Sequence, residues 1–381
     1  MNVDVAVIGA GPAGSTLAAL LARRGMSVCL IDREEFPRDK VCGEFLSYDA
    51  LPILERLGVA DQLDALGAPR IERCRVVGRT RDYEFGFPQA ARGISRFALD
   101  ELLLRHAVAS GALPRIGWTA VDIDPASRTV TIERNGERDV VEARVIAGAW
   151  GRWGRFDAQL NRTFVRDRAH RSFGFKRHYR AETVMETIDL YSFRGGYLGV
   201  SPVEGGITNI CGLAHASRLA KHRGRWEGFV EMIRGEESRL ESLYAAHVPA
   251  QENFLSSEPV IFRARSPVEQ GIVMIGDASG VIDPLTGNGM AMAIQSAALA
   301  APHIAAIVNG KVEAAREYSE AHKSFFDGRI AWSRRIALLL SRPALLDAVL
   351  RTFHPRAAGE FLLRATRAGD GDVAHIVREA F

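Results

Sequence analysis

The tightest constraint on this chain lies in its first thirty-two residues. The run "VDVAVI" at 3–8 is apolar enough for a strand buried on both faces. It breaks into "GAGPAG" ahead of a helical stretch rich in small residues and a second apolar strand, "SVCLID". Two such strands joined by a helix form a βαβ unit, which commits the chain to a parallel sheet and an α/β fold. Gly9, Gly11 and Gly14 stand in the spacing G-x-G-x-x-G, with Pro12 and Ala13 opening the helix and Ala18 and Gly25 where helix and sheet pack. Bare backbone there lets N–H groups and the helix N-terminus approach a pyrophosphate, and Asp32, closing the second strand, can accept hydrogen bonds from a ribose. The implied ligand is an adenine dinucleotide.

From Trp118 onward the pattern changes to two-residue alternation in "WTAVDID", "RTVTIER" and "ERDVVEA", with Asn135-Gly136 between the second and third runs predicting a tight hairpin. Residues 172–213 hold more alternating segments, suited to an antiparallel sheet, and a polar helical stretch follows around 217–246. A buried strand returns at 271–279, then a helix from about Gly287 and a last helical region from 314 rich in Arg and Leu. The predicted architecture is a Rossmann-like dinucleotide-binding domain with a mixed sheet, assembled from 1–70, 93–165 and 258–312. An antiparallel-sheet substrate domain from 71–92 and 166–257 and a helical C-terminal extension over 313–381 complete it.

Composition narrows the partners. The net charge of +3 is small for 381 residues and the basic residues are dispersed, so no nucleic-acid partner is implied. Four cysteines without CxxC spacing, ten histidines without a ligand pattern and no legible Ser/His/Asp set give metal and hydrolase chemistry no support. The start reads as strand rather than secretory signal, and the apolar stretches fall short of the roughly 18–20 uninterrupted residues of a membrane span, so a cytoplasmic chain without an integral membrane segment is expected.

A second motif, "GDASGVIDPLTGNGMAMAIQSA" at 276–297, decides which dinucleotide. Asp277 at a strand end can accept from a sugar-chain hydroxyl, and Pro284 sets a turn. Gly287, Asn288 and Gly289 open a helix whose N–H groups can face a partial negative charge, such as the N1/O2 edge of a reduced flavin. With both glycine frames present, the chain resembles the FAD-dependent oxidoreductases that include para-hydroxybenzoate hydroxylase-like monooxygenases, flavin-dependent halogenases and geranylgeranyl reductases, over about residues 1–310. The resemblance implies bound FAD. "FPRDKVCGEFLS" at 36–47 is similar to the segment of geranylgeranyl reductases that would put Cys42 near the isoalloxazine ring, while a small buried hydrophobe is the other reading of that residue. "SRFALDELLLRHA" resembles the group's Arg-x-x-Leu-Asp helix, whose arginine, here Arg96, contacts the cofactor. Arg33, Arg38 and Val121 join the expected cofactor contacts.

"GAWGRWGRF" at 148–156 stands where hydroxylases of the group carry Gly-Ala-Asp-Gly, whose aspartate serves FAD and NAD(P)H binding, and here Trp150 replaces the acid. Electrons would then come from NAD(P)H or from a separate flavin reductase, and Trp150 and Trp153 have a rival reading as wedges against the hairpins. The halogenases' Trp-x-Trp-x-x-Ile-Pro run is absent, which disfavours halogenation. The Tyr-x-Trp-x-Phe-Pro segment of geranylgeranyl reductases becomes "YLGVSP", keeping Tyr197 and Pro202 but holding Gly199 and Ser201, which points to a bulkier or more polar small-molecule substrate. Cys42, Trp150 and Tyr197 are the catalytic candidates, Phe173, Phe175, Tyr191, Phe193 and Tyr197 the candidate pocket wall, and His178, Arg180 and Asn209 its polar anchors. The expected reaction is monooxygenation or oxidation of an apolar or aromatic molecule. C=C reduction of geranylgeranyl reductase type is the alternative, and an FAD with a structural or redox-neutral role is the alternative from another class. The amphipathic, basic "RRIALLLSRPALLDAVLRTF" is expected to cap the pocket, or else to rest on a membrane surface.

Overall fold

The strand Asn2–Ile8, buried along most of its length, pairs in parallel with Val28–Asp32 on one side and Glu137–Gly148 on the other. Leu113–Ile116 extends the parallel set at one end and Ile272–Met274 at the other, with Val268–Glu269 as an antiparallel edge. This computed structural model describes all residues except 168–171, 182–184, 223–224 and 353–354. Thr119–Asp124, Thr129–Arg134 and Glu137–Gly148 form the expected antiparallel ribbon, and Asn135 and Gly136 take the positive φ angles of +51° and +84° that a tight hairpin needs. Helices Pro12–Arg23, Arg96–Ala109 and Gly289–Val308 bury their apolar faces on one side of the parallel strands, and the ribbon covers the other. Gly9 has φ +108°, and a Cβ there would overlap Ala149 O, so the glycine turn is pressed against the end of the neighbouring strand.

The second sheet has nine strands and is antiparallel as expected except for one parallel pairing. Ser172–Arg180, Ile207–His215, Gly196–Val203 and Thr187–Phe193 are antiparallel to one another in that order, but Thr187–Phe193 lies parallel to Arg70–Val77. Strand alternation then sorts the aromatics. Phe175, Tyr191 and Phe193 pack on the back of the sheet beneath helices Trp226–Glu236 and Ser238–Ala245, with Phe175 stacked on Trp226 at 4.6 Å and Phe173 at the edge of the same cluster. Of the five aromatics expected to wall a pocket, Tyr197 alone faces the other way, toward the helix Ala314–Leu340.

That 27-residue helix and Asp370–Ala380 pack on Gly289–Val308, and Pro355–Thr366 packs on the strand Asp82–Gly93. Gly289–Val308 is the one described helix long and apolar enough to cross a membrane, and it is largely buried between its neighbours. Arg329 ties the extension down, donating from Nη1 to Gln295 Oε1 at 3.0 Å and from Nε to Thr366 O at 3.3 Å.

The glycines around Trp150 have a packing cause. A Cβ on Gly148 or on Gly154 would overlap the Trp150 indole, which lies half-buried between them against the ribbon-side core, 5.5 Å from Phe156. Its Nε1 donates to Asp157 Oδ1 at 3.3 Å, and Trp153 Nε1 donates to Pro259 O. Trp150→Ala should therefore lower stability by about 3 kcal/mol, the low end for truncating a large aromatic. Thermal unfolding measures the loss, and the FAD content of the folded variant should stay unchanged.

Candidate functional site: an anion cradle and an acid-walled cavity

The helix Pro12–Arg23 starts at Gly11 with no side chain capping it, so its first N–H groups face outward. Across from Gly11 stand two guanidinium groups. A Cβ on Gly11 would lie 3.5 Å from Arg96 Nη2 and 3.9 Å from Arg38 Nη2. Both arginines are held by the fully buried Asp100, which accepts from Arg96 Nε and Nη2 at 2.6 Å each and from Arg38 Nη1 at 2.9 Å. Arg38 Nε is buried with no partner among the described residues. Paired cations, bare backbone and an open helix end fit a pyrophosphate. Asp32 Oδ2 accepts from Ala10 N at 2.7 Å and Oδ1 from Glu34 N at 3.0 Å, so it shapes the turn and retains lone pairs for a ribose. Arg33 is turned to solvent and paired with Glu34 at 3.0 Å, and Val121 lies half-buried at the bulge of Thr119–Asp124.

The sequence reading missed Glu44. It is fully buried in the left-handed region at φ +56°. Its Oε1 accepts from Lys176 Nζ at 2.5 Å and from Arg96 N at 2.9 Å, and its Oε2 is 2.7 Å from His178 Nε2. Burial alone would push the Lys176 ammonium down, but Glu44 more than offsets it and holds its pKa above the usual lysine value. Asp39, Glu44 and His178 stand within ligating reach of one another, and Lys176 Nζ supplies the positive charge among them, 3.3 Å from Asp39 Oδ1. Cys42 sits beside this group, its Sγ accepting from Glu44 N at 3.4 Å and its carbonyl from Asn209 Nδ2 at 3.0 Å. Burial pushes the Cys42 thiol up, which keeps it protonated rather than nucleophilic. Arg180, at the strand end, is exposed.

The second motif opens the helix Gly289–Val308. Gly287 has φ +63° and a Cβ there would lie 2.7 Å from Phe45 Cδ1, while Pro284 is exposed beside it. Asn288 Nδ2 donates to Thr366 O at 2.5 Å, but its Oδ1 is buried without a partner among the described residues, as is Asn209 Oδ1. Asp277 is partly exposed at the end of Ile272–Met274, 4.0 Å from Arg152 Nε. These orphaned acceptors and the uncapped helix start suit a flavin that brings its own donors and a partial negative edge.

Between the front of the second sheet and the C-terminal half of Ala314–Leu340 lies a cavity of about 680 Å³, walled by Leu213, Ile261, Phe262, Ala337 and Leu338. Tyr197 and Asp283 stand in its wall, and Tyr197 Oη donates to Asp283 Oδ1 at 2.5 Å. Burial pushes the Asp283 carboxyl up to about 6 and the Tyr197 phenol well above its usual value.

The pattern of the FAD binding domain family matches residues 2–325, and the chain belongs to that family of FAD-dependent oxidoreductases. It is 30% identical to the menaquinone reductase of Mycolicibacterium smegmatis over 370 residues, covering 91% of this chain and 86% of that one. It is 26% identical to the tryptophan 2-halogenase of Chondromyces crocatus, covering 88% and 67%. The structure of the flavin-dependent brominase Bmp2 shares the fold, with a TM-score of 0.78 over 100% of this chain and 98% of that one at 21% identity.

Gly11→Ala puts a methyl into the cradle without backbone strain, since Gly11 has φ −74°. The variant should fold with unchanged apoprotein stability yet lose most of its FAD, read by absorbance after gel filtration. Glu44→Gln should cost about 3–5 kcal/mol by stranding buried Lys176, and adding Lys176→Met should restore most of that in denaturant unfolding.

Proposed function

We propose that this chain is an FAD-dependent reductase that saturates a C=C bond in an apolar molecule joining a ring to a prenyl-type chain. The observation that carries the reading is the buried Asp283–Tyr197 acid at the wall of an apolar cavity. Saturating a double bond needs a hydride at one carbon and a proton at the other. Reduced FAD supplies the hydride when bound. The proton is the chain's own contribution: once Asp283 is protonated it donates to Tyr197 Oη, which frees the phenol hydroxyl to turn to the cavity and pass its proton to the second carbon. The Asp283 proton replaces it, and the carboxylate is reprotonated from water. This need ranks reduction above the oxygenation expected from sequence, and the 30% identity to a menaquinone reductase supports the same order.

Gly199 and Ser201 share the Tyr197 face of the strand, and a Cβ on Gly199 would meet nothing closer than 3.8 Å. The missing tryptophan thus leaves room for a ring in front of the sheet. The cradle of Gly11, Arg38 and Arg96 holds the pyrophosphate, Asp32 the ribose, Asp277 the sugar chain, and Gly287–Gly289 the flavin edge. Electrons reach the flavin from NAD(P)H or a separate flavin reductase, and Trp150, hydrogen-bonded to Asp157, acts as a wedge.

The test is anaerobic mixing of pre-reduced holoprotein with a short prenylated naphthoquinone. Reoxidation of the flavin with a product that, after reoxidation of its ring in air, still carries two extra hydrogens in the prenyl chain supports the reading. A product that returns to the starting quinone in air, or an oxygen-dependent hydroxylated product with no anaerobic turnover, sinks it. Tyr197→Phe should slow that step by about 100-fold with flavin content unchanged. Because Asp283 is neutral only below about 6, the rate should fall as pH rises through that value, and Asp283→Asn should flatten the profile.

A further inference from the structure

We propose that the outer face of the C-terminal helices Ala314–Leu340, Pro343–Thr352 and Pro355–Thr366 docks on an anionic lipid bilayer, with the cavity mouth opening onto it. Of the twelve large apolar side chains exposed among the described residues, four fall within residues 332–361: Trp332 at 37%, Leu338 at 60%, Leu345 at 45% and Phe361 at 52%. Ile330, Ser333, Ala337 and Leu340 form the buried side of the first helix, which leaves Trp332, Arg334, Arg335 and Leu338 on its outer arc. Phe361, from the third helix, meets Trp332 edge to face at 5.2 Å, so the apolar residues of two helices form one surface.

Three of these four exposed apolar residues have an arginine three positions away on the same helix, a spacing that puts both on one side of it, and Leu345 follows Arg342 in the turn that leads into its helix. The pairs are Trp332 with Arg335, Leu338 with Arg335, Leu345 with Arg342, and Phe361 with Arg364. These arginines are exposed, and none has a carboxylate partner among the described residues. Arg335 instead lies over the Trp332 ring at 4.8 Å. The nearby Asp347 is buried and accepts from Arg79 N at 3.0 Å, and the exposed Glu360 beside Phe361 is outnumbered by Arg334, Arg335, Arg342 and Arg364, so the face stays net positive. Unpaired guanidinium groups around exposed Trp, Leu and Phe match a bilayer of anionic headgroups over acyl chains. A second copy of the chain fits less well, because a two-fold contact would set arginine against arginine.

Leu338, Arg334 and Ser341 belong both to this face and to the cavity lining, so the apolar surface runs into the cavity. A molecule with a prenyl-type chain could pass from bilayer to cavity there without crossing water. This part rests on the proposed substrate class, whereas docking itself does not.

The experiment is flotation of holoprotein with vesicles of phosphatidylglycerol and phosphatidylcholine, against vesicles of phosphatidylcholine alone. Binding to the anionic vesicles alone, reversed by high salt, is the expected result. Two double variants away from the cavity, Trp332→Ser with Phe361→Ser and Arg335→Glu with Arg364→Glu, should each weaken binding at least about tenfold while keeping FAD and circular dichroism unchanged. No binding to either vesicle, or equal binding by wild type and both variants, overturns the proposal. So does a wild-type dimer that both variants break into monomers. Turnover of a detergent-dispersed short-chain substrate, measured in parallel, separates the two readings: turnover without flotation refutes docking alone, and flotation without turnover refutes the reductase alone.

Discussion

One buried carboxylate joins the parts of this molecule. Glu44 leaves the loop after the second parallel strand, accepts from the start of the helix Arg96–Ala109, and reaches Lys176 and His178 on the second sheet. The backbone there sits at a positive φ, a conformation that costs on the order of 1–3 kcal/mol unless its surroundings over-determine it. Burying an acid and an ammonium also costs desolvation, so the pair adds little net stability and instead sets how the glycine turn, the arginine cradle and the sheet face meet. Cys42, two residues earlier, takes its position from the same contacts.

Three buried aspartates show how environment divides the work. Asp100 is enclosed by two guanidinium groups and holds them facing the glycine turn, so the cradle is set before any ligand arrives. Burial would raise the Asp49 carboxyl, but Arg329 and Arg367 hold it below the usual range, suiting it to anchor the C-terminal helices. Asp283 accepts from a phenol and a backbone N–H, and with Arg334 the smallest of the influences on it burial stays in control and lifts its carboxyl to about 6. One side chain thus serves as a strut, an anchor and a proton source, according to which cations stand beside it.

The βαβ start, the Asn135-Gly136 hairpin and the glycine-led helix at 287–289 were legible in the sequence because each is a local matter of backbone freedom and short-range periodicity. The Arg-x-x-Leu-Asp stretch was legible as a helix, but not that its aspartate holds two arginines, since Arg38 lies 62 residues away from Asp100. Alternation in the second sheet revealed that its residues take opposite faces without revealing which face meets the cavity. Phe175 and Phe193 therefore read as pocket residues and proved to be back-face core, and the bare glycines beside Trp150 make room for its indole.

By itself the sequence determined a parallel α/β core with a dinucleotide turn and a flavin-type second motif, because glycine spacing and strand period act within a few residues. Tertiary structure alone decided the partners of Glu44, 132 and 134 residues distant, the side of the sheet that carries Tyr197, and the protonation of Asp283. Burial and charge pairing depend on what stands opposite in space, and no local pattern of residues records that.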